Sequence, residues 1–185
     1  AIYTREEPFE VKTFFGDNLL SKEGRMMELH FKDFVLLNIY FPNGGSGEER
    51  LQYKLCFYDE FLKHISGLVE QGKHVVFCGD VNTAHQAIDL ARPKENEKVS
   101  GFLPIERSWM DQLVEAGFVD TFRSAEPETV KYSWWDMKTR ARERNVGWRI
   151  DYFFVDQAFL PRVRETEYLN DVPGSDHCPV LLKIG

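Results

Sequence analysis

Residues 74–85 read HVVFCGDVNTAH. Val75, Val76, Phe77 and Cys78 form a short apolar run, as expected of a strand covered on both faces. The run ends at Gly79, and a carboxylate, Asp80, and an amide, Asn82, follow at alternate positions. Side chains two residues apart on a strand share a face, so Asp80 and Asn82 are expected to reach one common point. A buried strand that ends in such a pair is a rigid mount for polar groups.

The pattern recurs along the chain. Tyr40 and Asn43 follow VLLNI, Asp151 sits inside WRIDYFFV, and Asp176 and His177 precede CPVLL. Each has a bland reading on its own. Gly-Asp is a turn former, Tyr40 an edge aromatic, Asp151 an ion-pair partner for Arg149, and Ser-Asp-His a polar turn. Together the carboxylates, amide and imidazole make hard-oxygen ligands plus a base, which suits Mg²⁺ and a substrate phosphate. Structural Zn²⁺ is disfavoured because no Cys/His pair has finger-like spacing. Nucleophilic Ser or Cys catalysis is disfavoured too: there is no GxSxG, and Cys56, Cys78 and Cys178 lie among apolar residues.

Around the opening strand, Ala1–Thr4 and Val11–Phe15 read as short strands. Arg25–Phe31 and Phe34–Tyr40 read as a strand pair turning at Lys32-Asp33. Met27, Leu29 and Phe31 alternate with Glu28 and His30, the period of a half-buried strand with its apolar set inward. Phe34–Ile39 is more continuously apolar and reads as central. Glu48–Gln71 reads as a helix with Leu51, Leu55, Tyr58, Leu62, Ile65 and Val69 as its stripe and Gly72 as its stop. Pro104 opens a second helix, Ile105–Ala116, with Trp109, Leu113 and Ala116 inward and Gly117 closing it. Residues 83–104 read largely as loop, and WRIDYFFVD and LLKI as strands. The pattern predicts layered α/β structure with mixed or antiparallel sheets. Regular βαβ units and a Gly-rich phosphate loop are missing, which argues against a doubly wound nucleotide fold.

A length of 185 residues fits one domain, and 43% hydrophobic against 29% charged residues excludes a disordered chain. The three cysteines form no CxxC, which points to free thiols in a reducing compartment. No apolar run reaches membrane-spanning length and Ala1–Glu10 has no signal-peptide pattern, so a cytosolic protein without a membrane partner is expected. A net charge of −7 argues against nucleic-acid binding by the surface as a whole. It leaves room for a local basic face where Lys138, Arg140, Arg142, Arg144 and Arg149 crowd one segment. The bland alternative is a solvated loop with Glu143 as partner.

GDVN at 79–82, NVGWRIDYF at 145–153 and GSDHCPV at 174–180, in this order, resemble the exonuclease III and apurinic/apyrimidinic (AP) endonuclease branch of the endonuclease/exonuclease/phosphatase superfamily. PNGG at 42–45 and SWWD at 133–136 narrow the resemblance to the DNA-repair nucleases, and the likeness runs from about Gly24 to the C-terminus. It implies an α/β (α+β) fold, a four-layer αββα sandwich of two mixed sheets face to face with outer helices. It also implies Mg²⁺-dependent (or Mn²⁺-dependent) hydrolysis of the phosphodiester 5′ to an abasic site, with 3′→5′ exonuclease and 3′-phosphatase activity. The implied partner is double-stranded DNA with abasic sites or 3′ ends. The implied state is a monomer when full length, cytoplasmic (nucleoid-associated) or nuclear and not secreted.

By the same resemblance Asp80 would orient or deprotonate the attacking water, and Asn82 would help place it. Tyr40 and Asn43 would contact the scissile phosphate. His177, oriented by Asp151, would bind a phosphate oxygen. Asp176 would be a metal ligand, with Asp80, Asn82 and His177 in the metal-facing set. Asn43, Asn96, Trp134, Arg140, Arg144 and Trp148 would meet DNA. The family's first strand carries an Asn, and a following Gln-Glu-Thr segment supplies a principal metal-ligand Glu. Neither pattern occurs in these 185 residues. The expectation is therefore one N-terminally truncated domain spanning 1–185 and short of its first strands. A weakly active or inactive DNA-binding fragment is one alternative. Another phosphodiesterase of the superfamily, acting on inositol phosphate or sphingomyelin, is a second.

Overall fold

The computed structural model describes residues 1–15 and 23–185. In chain order the elements are β1 Glu10–Lys12, β2 Met26–His30, β3 Val35–Ile39, α1 Glu48–Glu70, β4 Val75–Asp80, α2 Pro93–Asn96 and α3 Pro104–Glu115. They continue with β5 Phe118–Asp120, α4 Thr121–Ala125, β6 Trp134–Trp135, β7 Gly147–Trp148, β8 Asp151–Asp156, β9 Val163–Tyr168 and β10 Val180–Ile184. Six strands form a mixed sheet in the order β1-β2-β3-β4-β8-β5, and β9–β10 and β6–β7 form two-stranded ladders. Among the described residues only β3–β4 is parallel, because α1 is the crossover that returns the chain to the same end of the sheet.

The sheet is covered on both faces, as the continuous apolar runs of β3 and β4 require. Val35, Leu37, Ile39, Val75 and Phe77 face α1 and α3 in the main core. Val76 and Val155 face the other way, onto Phe159, Val163 and Leu182 beside the β9–β10 ladder. Phe122 of α4 packs edge-on against Tyr168 of β9, with ring centroids 4.8 Å apart. This is the expected α/β sandwich of two sheets with helices outside.

Several local expectations shift. Ala1–Thr4 forms no strand, and the next expected one is reduced to Glu10–Lys12. The α1 stripe is Lys54, Phe57, Tyr58, Phe61, Ile65 and Leu68, rotated from the Leu-based one. Large aromatic rings occupy the centre of the contact, Leu55 and Leu62 pack at its margin, and Val69 is exposed. In α3, Met110 joins Trp109 and Leu113 inside, while Ala116 is exposed. Cys56, expected among apolar residues, is exposed.

The alternation in β2 is inverted in part. Glu28 and His30, expected outward, are 0% and 2% exposed. Their face meets α1, and the polarity is satisfied locally: Glu28 accepts from His64 of α1 and from His30, with Lys12 of β1 at 3.5 Å. Burial alone would raise the Glu28 carboxyl, but the hydrogen bonds from His64 and His30 win and hold it down to about 2 from 4.5.

Gly79 fixes how closely β3 and β4 approach. Its φ is 137°, and a Cβ there would lie 1.9 Å from the Ile39 carbonyl oxygen. Only glycine allows that contact, and just beyond it Phe41 N donates to Asp80 O at 2.9 Å.

A carboxyl depressed on folding stabilises the native state above its unfolded pKa and loses that contribution as pH falls through the folded value. For Glu28 the window runs from 4.5 down to about 2 and is worth roughly 3 kcal/mol. Urea unfolding should therefore show the stability gap between wild type and Glu28→Gln narrowing by about that much from pH 5 to pH 2. A gap independent of pH would contradict the assignment.

Candidate active site

The antiparallel register of β4 and β8 puts Asp80 opposite Asp151. The 175–178 segment is drawn onto the same end of the sheet by backbone pairing. Trp135 N donates to Asp176 O at 2.9 Å, Cys178 N donates to Ser133 O at 2.8 Å, and Trp134 bridges to His177. Ser133 Oγ in turn accepts from Ile150 N and Asp151 N, both at 3.0 Å. These contacts enclose a cavity of about 340 Å³ lined by Tyr40, Asn43, Asp80, Asn82, Trp134, Trp148, Asp176 and His177, with Val99, Ser100, Gly101 and Ile150. A larger cleft of about 560 Å³, near Phe31, Lys73 and Arg162, holds none of the candidates.

Asp80 and Asn82 do meet, but not by strand alternation. The strand ends at Asp80, and Asn82 turns into the left-handed region with φ 54°. The turn lets Asp80 Oδ1 accept from Asn82 N at 2.8 Å, and Oδ2 accept from Asn82 Nδ2 at 3.1 Å. Asn82 Nδ2 also donates to Phe41 O, and Asn82 Oδ1 accepts from Asn43 Nδ2 at 3.1 Å. Asn82 is thus committed to fixing the Asp80 carboxylate and Asn43. Burial pushes the Asp80 carboxyl up to about 7, the charge of Asp151 adds to this, and the Asn82 backbone hydrogen bond only partly offsets it.

Across the ladder, His177 Nδ1 lies 2.8 Å from Asp151 Oδ2. A carboxylate at Nδ1 fixes that nitrogen as the donor and leaves Nε2 toward the cavity. Burial works against the charged ring, but the Asp151 hydrogen bond and charge raise the His177 pKa overall. Tyr40 is half exposed at the rim, with the Arg25 guanidinium 4.7 Å over its ring. Asp176 Oδ2 accepts from Trp134 Nε1 at 3.1 Å. Partial burial raises the Asp176 carboxyl, but this and other hydrogen bonds bring it below the ordinary value, so it is an anion. The Cys78 thiol is pushed up to about 12 by burial and offers no nucleophile.

As a metal site the donor set fits in type and falls short in number. Asp176 and Asp80 are hard oxygen donors of the kind Mg²⁺ prefers. Among the described residues, however, no three His, Cys, Asp or Glu side chains gather closely enough to hold an ion. Three expected DNA contacts also lie outside the cavity. Asn96 turns its amide back onto Ala91 O and Arg92 O, Arg144 binds Thr139 O, and Arg140 is exposed in a left-handed turn.

The basic segment divides in two. Arg142 donates to Ser175 O, Asn170 O and Val172 O, anchoring the loop that carries Asp176. Arg149 is fully buried and pairs not with Asp151 but with Asp89 at 2.9 Å and Asp120 at 2.7 Å. Among the described residues Glu143 forms no ion pair with this segment. Tyr168, beside Arg149 Nη1, donates to Asp151 O at 2.6 Å and so backs the His177 pair. Sequence reasoning missed Ser133, Tyr168, Lys54 and Glu106, whose partners are remote in the chain.

Replacing Arg149 by Met strands two buried carboxylates, a change that costs about 3–5 kcal/mol. Chemical denaturation of Arg149→Met should show a loss of that order. A loss below about 1 kcal/mol, the range of an exposed pair, would contradict the network.

The Endonuclease/Exonuclease/phosphatase family model matches residues 1–177, reaching further toward the N-terminus than the sequence resemblance did. The chain is 41% identical to an exodeoxyribonuclease of Bacillus subtilis over 185 residues, all of this chain and 73% of the relative. It is 42% identical to the DNA repair nuclease APEX1 of Danio rerio, over 98% of this chain and 59% of that protein. Among solved structures it is similar to an AP endonuclease from Archaeoglobus fulgidus, with TM-score 0.88 and 26% identity, covering 97% of this chain and 72% of that one.

Proposed function

The chain belongs to the endonuclease/exonuclease/phosphatase family, in its exonuclease III and AP endonuclease branch, and from that premise we propose that it hydrolyses the phosphodiester of duplex DNA 5′ to an abasic site. The observation that carries the proposal is the single cavity in which Asp80 faces the Asp151-held His177 between Trp134 and Trp148. A carboxylate with proton affinity near neutrality is matched to taking a proton from water. Asn82, fully engaged, aims it. A His177 imidazolium and the Tyr40 hydroxyl at the rim supply positive charge and a donor to phosphate oxygens, where charge builds up in the transition state. The indoles of Trp134 and Trp148 offer apolar walls for an extruded sugar that lacks its base.

A divalent ion, Mg²⁺ or Mn²⁺, is proposed with Asp176 as its carboxylate ligand, while Asp80, Asn82 and His177 face the phosphate beside it; it would neutralise phosphate charge. The same phosphate-facing groups suit a 3′-terminal ester, so 3′→5′ exonuclease and 3′-phosphatase activities are proposed alongside. Arg140 and Arg144 are exposed and Asn96 partly so, and we assign them to the flanking DNA backbone. The partner is double-stranded DNA and the working unit a monomer.

Asp80→Ala should lower incision of an abasic duplex by at least about 100-fold while thermal unfolding stays cooperative. Incision at the wild-type rate would remove Asp80 from the mechanism.

The short donor set gives a second prediction. Residues 1–185 alone should incise the duplex at least about tenfold more slowly than a chain extended with the N-terminal segment of its relatives, under equal Mg²⁺. Equal rates would show that the described donors suffice.

A further inference from the structure

Lys54 and Glu106 lie outside every role assigned above, yet both are 0% exposed. The Lys54 ammonium makes three bonds: to Glu106 Oε1 at 2.6 Å, Asn82 O at 2.8 Å and Thr83 Oγ1 at 2.9 Å. All three of its protons are used. Glu106 is as fully engaged. Its Oε1 also accepts from Ser100 Oγ at 2.9 Å, and its Oε2 accepts from Gly101 N at 2.6 Å and Leu103 N at 3.0 Å. Two segments of the cavity wall, at Asn82 and at Ser100–Gly101, are thus tied to one ion pair between α1 and α3.

Close backbone approach around the pair shows that the tie sets geometry. A Cβ on Gly44 would lie 2.7 Å from Ser100 Oγ, and one on Gly101 would lie 3.3 Å from Asn82 O. Three wall segments therefore meet closely, with little room for an added side chain between them. At their junction Asn82 is held at positive φ, a conformation that persists only where its surroundings over-determine it. A hydrophobic isostere would fill the volume of a buried ion pair at little cost in stability, but it would hold no carbonyl in place.

We propose that the Lys54–Glu106 pair is a positioning device that holds the Asn82 carbonyl and the Ser100–Gly101 wall, and through Asn82 sets the aim of Asp80. The inference rests on the proposed nuclease reading for its kinetic consequence and not for its structural one. Lys54 and Glu106 touch no substrate. They act through the turn that carries Asn82 and through the wall that faces Trp148.

Two readouts test this on the full chain. In ¹⁵N-labelled protein, Lys54→Met should shift the Asn82 side-chain amide pair, assigned by its loss in Asn82→Ala, and Lys54→Arg should restore it. On abasic duplex, Lys54→Met should lower kcat/KM by roughly 100-fold, the cost of a misplacement of about an ångström. In an Asn82→Ala background, which keeps the backbone carbonyl but lacks the side-chain amide that holds Asp80, the same change should cost about tenfold or less, because the part of its effect that runs through that amide is already lost. A purely structural lysine would give the full loss in both backgrounds. Should Lys54→Met fail to fold, Glu106→Gln, which keeps size and shape, takes its place with the same expectations. An unmoved Asn82 amide in either folded variant overturns the proposal. So does an additive loss. The amide signals report on the clamp even if no incision is detected, an outcome that would count against the nuclease reading alone.

Discussion

The antiparallel pairing of β4 with β8 is the constraint on which the rest depends. It places Asp80 and Asp151 across one ladder at the end of a sheet buried on both faces. Burial raises the proton affinity of Asp80, and the charge of Asp151 across the ladder adds to it. Asp151 instead shares its charge with His177. One sheet register thereby turns a carboxyl raised to about 7 and an imidazole of raised pKa toward a common cavity. Gly79 makes the register usable, because its lack of a Cβ lets β3 close on β4 and brings Tyr40 beside Asp80.

Around that register the fold places charges where apolar residues would pack more simply. Arg149 lies beneath the site, Lys54 beside it, and Glu28 in the middle of β2 on the helix-covered face. Each is compensated by named partners, so none is an uncompensated buried ion, and each joins segments remote in the chain. Arg149 links the 89 and 120 segments, and Lys54 spans α1, the Asn82 turn and α3. Such pairs add little net stability over a well-packed apolar core, but they leave a misplaced register with an unpaired charge.

Most of the site was legible in the sequence because its residues sit at the ends of apolar strands. Asp80, Asn82, Asp176 and His177 sit where strand periodicity stops, and the cavity collects them with Tyr40, Asn43, Trp134 and Trp148. The reason given for Asp80 and Asn82 was wrong in detail: a left-handed turn, not alternation, brings them together. Lys54 and Glu106 were not legible, since lysine within a helical stripe reads as solvent-facing and its partner lies 52 residues away. The β2 face misled for the same reason. A glutamate and a histidine count as polar in any periodicity, and it is the contact of Glu28 with His64 and of His30 with Glu28 that shows they point inward. The basic run 138–149 hid two fates under one composition, loop anchoring by Arg142 and deep burial of Arg149.

Under the proposed function, water activated at Asp80 attacks the phosphate 5′ to an abasic site while the 3′ oxygen of the preceding nucleotide leaves. Mass spectrometry of products formed in ¹⁸O-water, by a chain carrying the N-terminal segment of its relatives, tests this directly. The account predicts a 3′-hydroxyl on the upstream strand and one ¹⁸O in the 5′-phosphate of the downstream strand. An unlabelled phosphate, or an upstream strand ending in an unsaturated aldehyde, would mean elimination rather than hydrolysis and would contradict it.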